Sequence, residues 1–169
     1  IQAPAAPLPA EADSANVTRF SFVAYGDTRG RQDGTAIQYE HSTLMDAMIA
    51  HIKRLQNSEA PVKFVVQSGD AVVAGQNVAQ WNVSYVPIID RLTQQTGVPY
   101  FLAAGNHDVG TSTTHTAAAR QAGLKNTLDA MANLIPPDGS PRRLSGYPTY
   151  SFGYGNVFVI ALDSNLIGD

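Results

Sequence analysis

Residues 20–29 read FSFVAYGDTR. Phe20, Phe22 and Ala24 alternate with Ser21, Val23 and Tyr25, an aromatic and β-branched run that stops at Gly26-Asp27. Such a run predicts a strand that ends in a polar turn. The grammar recurs twice. The mainly apolar residues 62–66 lead into Gly69-Asp70-Ala71-Val72, and residues 100–103 lead into Gly105-Asn106-His107-Asp108. Between the first two, Leu44, Met45, Met48, Ile49, Ile52 and Leu55 recur at helical spacing as one apolar stripe. Residues 78–95 predict a second helix that Pro87 must kink or divide. Gly97-Val98-Pro99 is a turn, and residues 116–134 predict a third helix, stopped by Pro136-Pro137. Residues 149–154 and 156–162 read as a hairpin. Strand, helix, strand, helix, strand is an α/β pattern with neighbouring parallel strands. Ligands of open α/β sheets bind beyond the carboxyl ends of the strands, so the three endings are expected to meet in one site.

Outside that frame, composition sets limits. The 169 residues (18.0 kDa) are 44% hydrophobic and 15% charged, which suits one globular domain. A net charge of −3 gives no basic footprint, so nucleic acid is not indicated as a partner. A phosphate substrate stays compatible with that charge, because bound cations bring their own positive field. No apolar run reaches the length of a membrane span. Residues 1–16, with Pro4, Pro7, Pro9 and repeated alanines, are expected to be a flexible tether, leaving residues 17–169 as the domain. The start at Ile1 fits a removed signal peptide or tag. A cysteine count of 0 rules out a disulfide framework and a thiolate metal site. Together these lead to an expected periplasmic or secreted setting.

Gly26-Asp27-Thr28-Arg29, Gly69-Asp70-Ala71-Val72 and Gly105-Asn106-His107-Asp108 resemble the first three blocks of the calcineurin-like metallophosphoesterases. The spacings of 43 residues (27 to 70) and 36 residues (70 to 106) suit that family, and the resemblance covers residues 19–163. A Gly-Asp pair alone means little; three ordered blocks, each after a strand, mean much more. The resemblance implies a two-sheet sandwich flanked by helices and a metal-dependent phosphomonoesterase or phosphodiesterase. It implies two divalent or trivalent metal ions (Mn, Fe or Zn), with Asp27 on one, Asp70 bridging both and Asn106 on the second. His107 would sit over the phosphate ester, stabilising charge or protonating the leaving oxygen, and Asp108 would orient its ring. The chemistry is consistent: two cations about 3.5–4 Å apart activate water and neutralise phosphoryl oxygens. The plainer alternatives are strand-end turn residues for Asp27 and Asp70, a capped loop for Asn106 and His107, and a cap for Asp108.

Two departures matter. Where the family's first block has a metal-binding histidine, this chain has Arg29, which has no lone pair to offer a metal. Arg29 suits bidentate capture of a phosphate oxygen; a surface ion pair is the plain alternative. His41, in the middle of the first helix's apolar stripe and at its N-terminal end, is a candidate replacement ligand, equally readable as a core-edge histidine. His51 is expected to be structural or solvated, and His115 to be a surface residue. The family's later histidine blocks do not occur in residues 1–169. The chain is therefore expected to supply the N-terminal half of the sandwich, with a C-terminal fragment of the same protein as its partner. Purple acid phosphatases place a tyrosine three residues after the second-block aspartate; here that residue is Val73, which argues against that subclass. A non-catalytic scaffold that keeps the fold is the alternative function.

Overall fold

The computed structural model describes residues 1–30, 38–110 and 116–165. His115, expected to be a surface residue, lies outside the described residues. Strands β1 (Ser21–Tyr25), β2 (Val62–Gln67) and β3 (Tyr100–Leu102) form a parallel sheet in the order β1-β2-β3. Tyr25 pairs in register with Gln67, and Gln67 with Leu102, so all three strands end level. The α/β expectation therefore holds, and the three polar turns share one edge.

Helices form the crossovers. The segment α1 (Glu11–Ser14) precedes β1, and α2 (Tyr39–Leu55) joins β1 to β2, burying His41, Met45, Met48, Ile49 and Ile52. Leu44, assigned to that stripe by spacing, is 44% exposed, so the buried face is narrower than the pattern suggests. The second crossover starts as a π-helical turn, Gln80–Tyr85, and continues as α3 (Val86–Thr96). Pro87 accounts for the division: it has no N–H for the carbonyl one helical turn back, and the preceding residues take wider spacing. Gly97 ends α3 in the left-handed conformation, φ 72°. Helix α4 (Ala117–Met131) follows the third turn, with Thr116 Oγ1 accepting from the Ala119 N–H as its cap.

The second sheet is the hairpin β4 (Tyr150–Tyr154) and β5 (Val157–Ala161). It packs on the first sheet through Phe152, stacked on Phe101 at 3.9 Å and edge-on to Phe64 at 5.3 Å. Phe64 is completely buried between the sheets, where a side chain of its size contributes about 2–3 kcal/mol. The opposite face of β5 is different. Phe158, Ile160 and Leu162 are 52%, 60% and 60% exposed, while Val157, Val159 and Ala161 face the core. A strand apolar on both faces is the pattern of one covered on both.

Residues 1–16, expected as a flexible tether, run along the body. The Ile1 ammonium donates to Ala130 O at 3.0 Å, Ala6 N–H donates to Gly97 O at 3.2 Å, and Glu11 pairs with Arg142 at 2.5 Å. Their prolines restrict the unfolded chain and so lower the entropy lost on docking. Among the described residues no helix is long and apolar enough to cross a membrane.

Candidate metal centre

The three turns leave the sheet sharply. Asp27 (φ 56°) and Asp70 (φ 55°) both adopt the left-handed conformation, which aspartate tolerates because its short carboxylate can bond locally. Asp27 N–H donates to Gly69 O at 3.0 Å, tying the first turn to the second. Gly69 has φ 103°, and a Cβ there would lie 2.6 Å from Gly105 N. Only glycine lets the second and third turns approach so closely.

One nitrogen of Arg29 joins the two aspartates: Nη1 donates to Asp27 Oδ1 and, at 2.5 Å, to Asp70 Oδ2. The two carboxylates, contributed by different strands, thus converge on a single cationic centre. Beside them opens a cleft of about 370 Å³ that includes Asp27, Asp70 and Asn106 and is closed on one side by Leu162, Ser164 and Asn165. Among the described residues no group of three or more His, Cys, Asp or Glu could hold a metal ion. The available set is therefore two carboxylates and the Asn106 carboxamide, all hard oxygen donors. It fits a divalent cation, because Arg29 shows that the carboxylates already meet at one positive charge.

Asp108 departs from its expected role. It is fully buried, and its carboxylate accepts the Ala71, Val72 and Gly105 N–H groups at 2.8, 3.2 and 2.8 Å. It does not orient the His107 ring. The three donors belong to the second and third turns, so the carboxylate is the bolt between them. Burial pushes its pKa up to about 7, against the pull of those donors in the other direction. The His107 ring donates from Nδ1 to Val73 O at 2.6 Å, and its backbone N–H reaches Asp70 Oδ1 at 3.3 Å. His107 O accepts from Gly75 N–H at 2.8 Å, and a Cβ on Gly75 would fall 1.6 Å from Asp108 O.

His41 is not brought to the cleft. It is 2% exposed, its Nδ1 lies 2.8 Å from Gln38 Oε1, and its Nε2 lies 3.0 Å from Tyr25 Oη. With both ring nitrogens engaged, the core reading describes it and the replacement-ligand reading does not. Burial, with the Arg91 charge nearby, pushes its pKa down to about 4, so the ring is neutral. Burial raises the Tyr25, Tyr85 and Tyr100 hydroxyls well above their ordinary range. His51 is exposed, its Nδ1 2.8 Å from Arg54 Nη2 on the same helix.

Three residues escaped the sequence reading. Ser164 and Asn165 line the cleft, and Asn165 Nδ2 donates to Ala104 O at 3.3 Å. The run Asp163-Ser164-Asn165 after β5 repeats the apolar-strand-then-polar signal and was the clue. Gln38 is buried, and its Nε2 donates to Ala71 O at 2.5 Å, beside Asp70. Nothing in its sequence context marks it.

A parallel sheet whose level strand ends carry two converging carboxylates, backed by a second sheet, defines an α/β protein with an acidic cleft at its carboxyl edge. The calcineurin-like phosphoesterase profile matches residues 21–165, and the chain belongs to that family of metal-dependent phosphoesterases. Among solved structures it is similar to a purple acid phosphatase, PPD1, from yellow lupin (Lupinus luteus) seeds. That likeness has 20% identity and a TM-score of 0.44, covering 86% of this chain and 25% of that one. The chain thus spans about a quarter of that protein's length. Comparison with curated proteins finds no match.

Proposed function

We propose that this chain carries the N-terminal part of a metal-dependent phosphoric ester hydrolase, a phosphomonoesterase or phosphodiesterase with a dinuclear centre. The observation that carries the reading is the meeting of Asp27 and Asp70 at one cationic nitrogen, in a cleft shared with Asn106. Asp27, Asp70 and Asn106 would hold the metal, with Asp70 bridging. The bound ions would supply an activated water and neutralise charge on the phosphoryl oxygens.

The chain's own groups do the rest. Arg29, once a metal ion satisfies its two aspartates, presents a planar fork to the substrate phosphate. His107, whose Nδ1 donates to the Val73 carbonyl, would exchange a proton with the ester oxygen through its ring. Asp108 holds the turns that carry both. A C-terminal portion of the same protein completes the ligand set, supported by the uncovered apolar face of β5. A periplasmic or secreted setting belongs to the same reading, supported by the absence of cysteine and the Pro/Ala-rich lead-in.

The test is manganese-stimulated cleavage of an aryl phosphodiester by the complete protein. Asp70→Asn is expected to abolish cleavage and lower bound metal. His107→Ala is expected to cut turnover about 10²–10⁴-fold with metal content unchanged; loss of metal along with turnover would make His107 a ligand. A second reading, a non-catalytic scaffold, draws on Arg29 occupying both aspartates. No cleavage and no bound metal across Mn, Fe and Zn would establish that reading over the first.

A further inference from the structure

Beneath the cleft lies a buried polar chain that touches both aspartate turns. At one end Gln67 Nε2 donates to Thr28 Oγ1 at 2.7 Å, next to Asp27. Gln67 Oε1 accepts from the Tyr85 hydroxyl at 2.8 Å and from the Tyr100 hydroxyl. The Tyr25 hydroxyl lies 3.2 Å from that of Tyr100 and 3.0 Å from His41 Nε2. At the other end His41 Nδ1 meets Gln38 Oε1, and Gln38 Nε2 reaches Ala71 O, next to Asp70.

The proton directions at the His41 end follow from chemistry. A backbone carbonyl only accepts, so the Gln38 amide must turn its NH₂ to Ala71 and its oxygen to His41. His41 Nδ1 therefore carries a proton. A neutral imidazole then has only a lone pair at Nε2, which takes the Tyr25 hydroxyl proton. Gln38, His41 and Tyr25 thus each have one arrangement open to them, and the Tyr100 hydroxyl, with a single proton, donates either to Gln67 Oε1 or to the Tyr25 oxygen and so links the two halves of the chain. Gln38 is further confined by Gly30, whose Cβ position lies 3.0 Å from Gln38 Cγ.

We propose that Gln38, His41, Tyr25 and Gln67 are positioning residues that hold the Asp27 and Asp70 turns at a fixed separation for a metal ion. They touch neither metal nor substrate; they act through Thr28 and Ala71, the residues that follow the two aspartates. The inference rests on the metal-dependent reading above. Outer residues of this kind set metal affinity, typically by 10–100-fold. A chain with two ends also makes a sharper demand than packing does. Breaking it at Thr28 and breaking it at Gln38 should interfere with each other, although those residues do not touch.

The experiment is calorimetric titration of the protein with Mn²⁺, with thermal unfolding measured on the same samples. Gln38→Met and Thr28→Val are each expected to raise Kd about tenfold or more. The double variant is expected to lose less than the product of the two, since the second cut finds the chain already broken. Ile52→Val, buried at the opposite end of α2 from His41, is expected to lower Tm and leave Kd unchanged. Variants that bind as the wild type does, or a Kd that follows Tm in the control as well, overturn the proposal. A wild-type protein that binds no Mn²⁺, Zn²⁺ or Fe²⁺ overturns the metal reading itself, a distinguishable failure that takes this inference with it.

Discussion

The carboxyl edge of the parallel sheet and the outer face of the hairpin are both strand-derived surfaces, and they are finished in opposite ways. At the edge, Asp108, Gln38 and His41 are buried polar groups whose bonds go to named partners within this chain. On the outer face of β5, Phe158, Ile160 and Leu162 stand side by side with little covering them. Directional hydrogen bonds can be closed within a few loops; an apolar face needs a second layer and takes whichever one fits it. Where the regions meet, Asp163 Oδ2 is buried with no hydrogen-bond partner among the described residues. The difference teaches that the buried polar groups of the turns find partners among the described residues, whereas the outer face of the hairpin has no second layer there.

Three substitutions test that contrast. Asp108→Ala is expected to cost most, about 4 kcal/mol, because it strands two buried N–H groups and a half-buried third at once. Denaturant unfolding reads it, and a cost under about 1 kcal/mol would mean the turns hold without their bolt. His41 comes next. Its folded pKa, about 4, lies below the ordinary 6.5, so the unfolded chain binds the proton first as pH falls. His41 thus contributes stability that is present above pH 6.5 and lost as pH drops towards 4. The stability difference between wild type and His41→Asn is expected to shrink by about 3 kcal/mol across that window. A pH-independent difference would place the ring in contact with solvent. Ile160→Thr is expected to change stability by under about 0.5 kcal/mol while reducing self-association in sedimentation. A cost well above that would show the outer face to be already buried.

How far the sequence reached follows the same division. The three strand endings were legible because Gly followed by a polar residue after an apolar run is a local signal. The hairpin was legible from two runs joined at a Gly/Asn turn, and α4 from the prolines beyond it. Pro87 announced a break, but the wider winding before it depends on which carbonyl loses its donor. The partners of Asp108 were not legible. Two of them, the Ala71 and Val72 N–H groups, lie on another turn 37 and 36 residues away, and backbone donors leave no trace in residue identity. For the same reason His41 had two equal readings until the positions of Gln38 and Tyr25 were known, and Gln38 had none. Arg29 was read for its charge, and its convergence on two aspartates required the register of β1 on β2.

The left-handed backbone at Asp27 and Asp70 has a consequence for how such a site changes over generations. Asparagine and glycine adopt that conformation readily, and each is one nucleotide from aspartate. Mutational drift at these positions can therefore remove the charge and keep the turn. A lineage can lose its chemistry in a single step without disturbing the fold, and regain it by the reverse step.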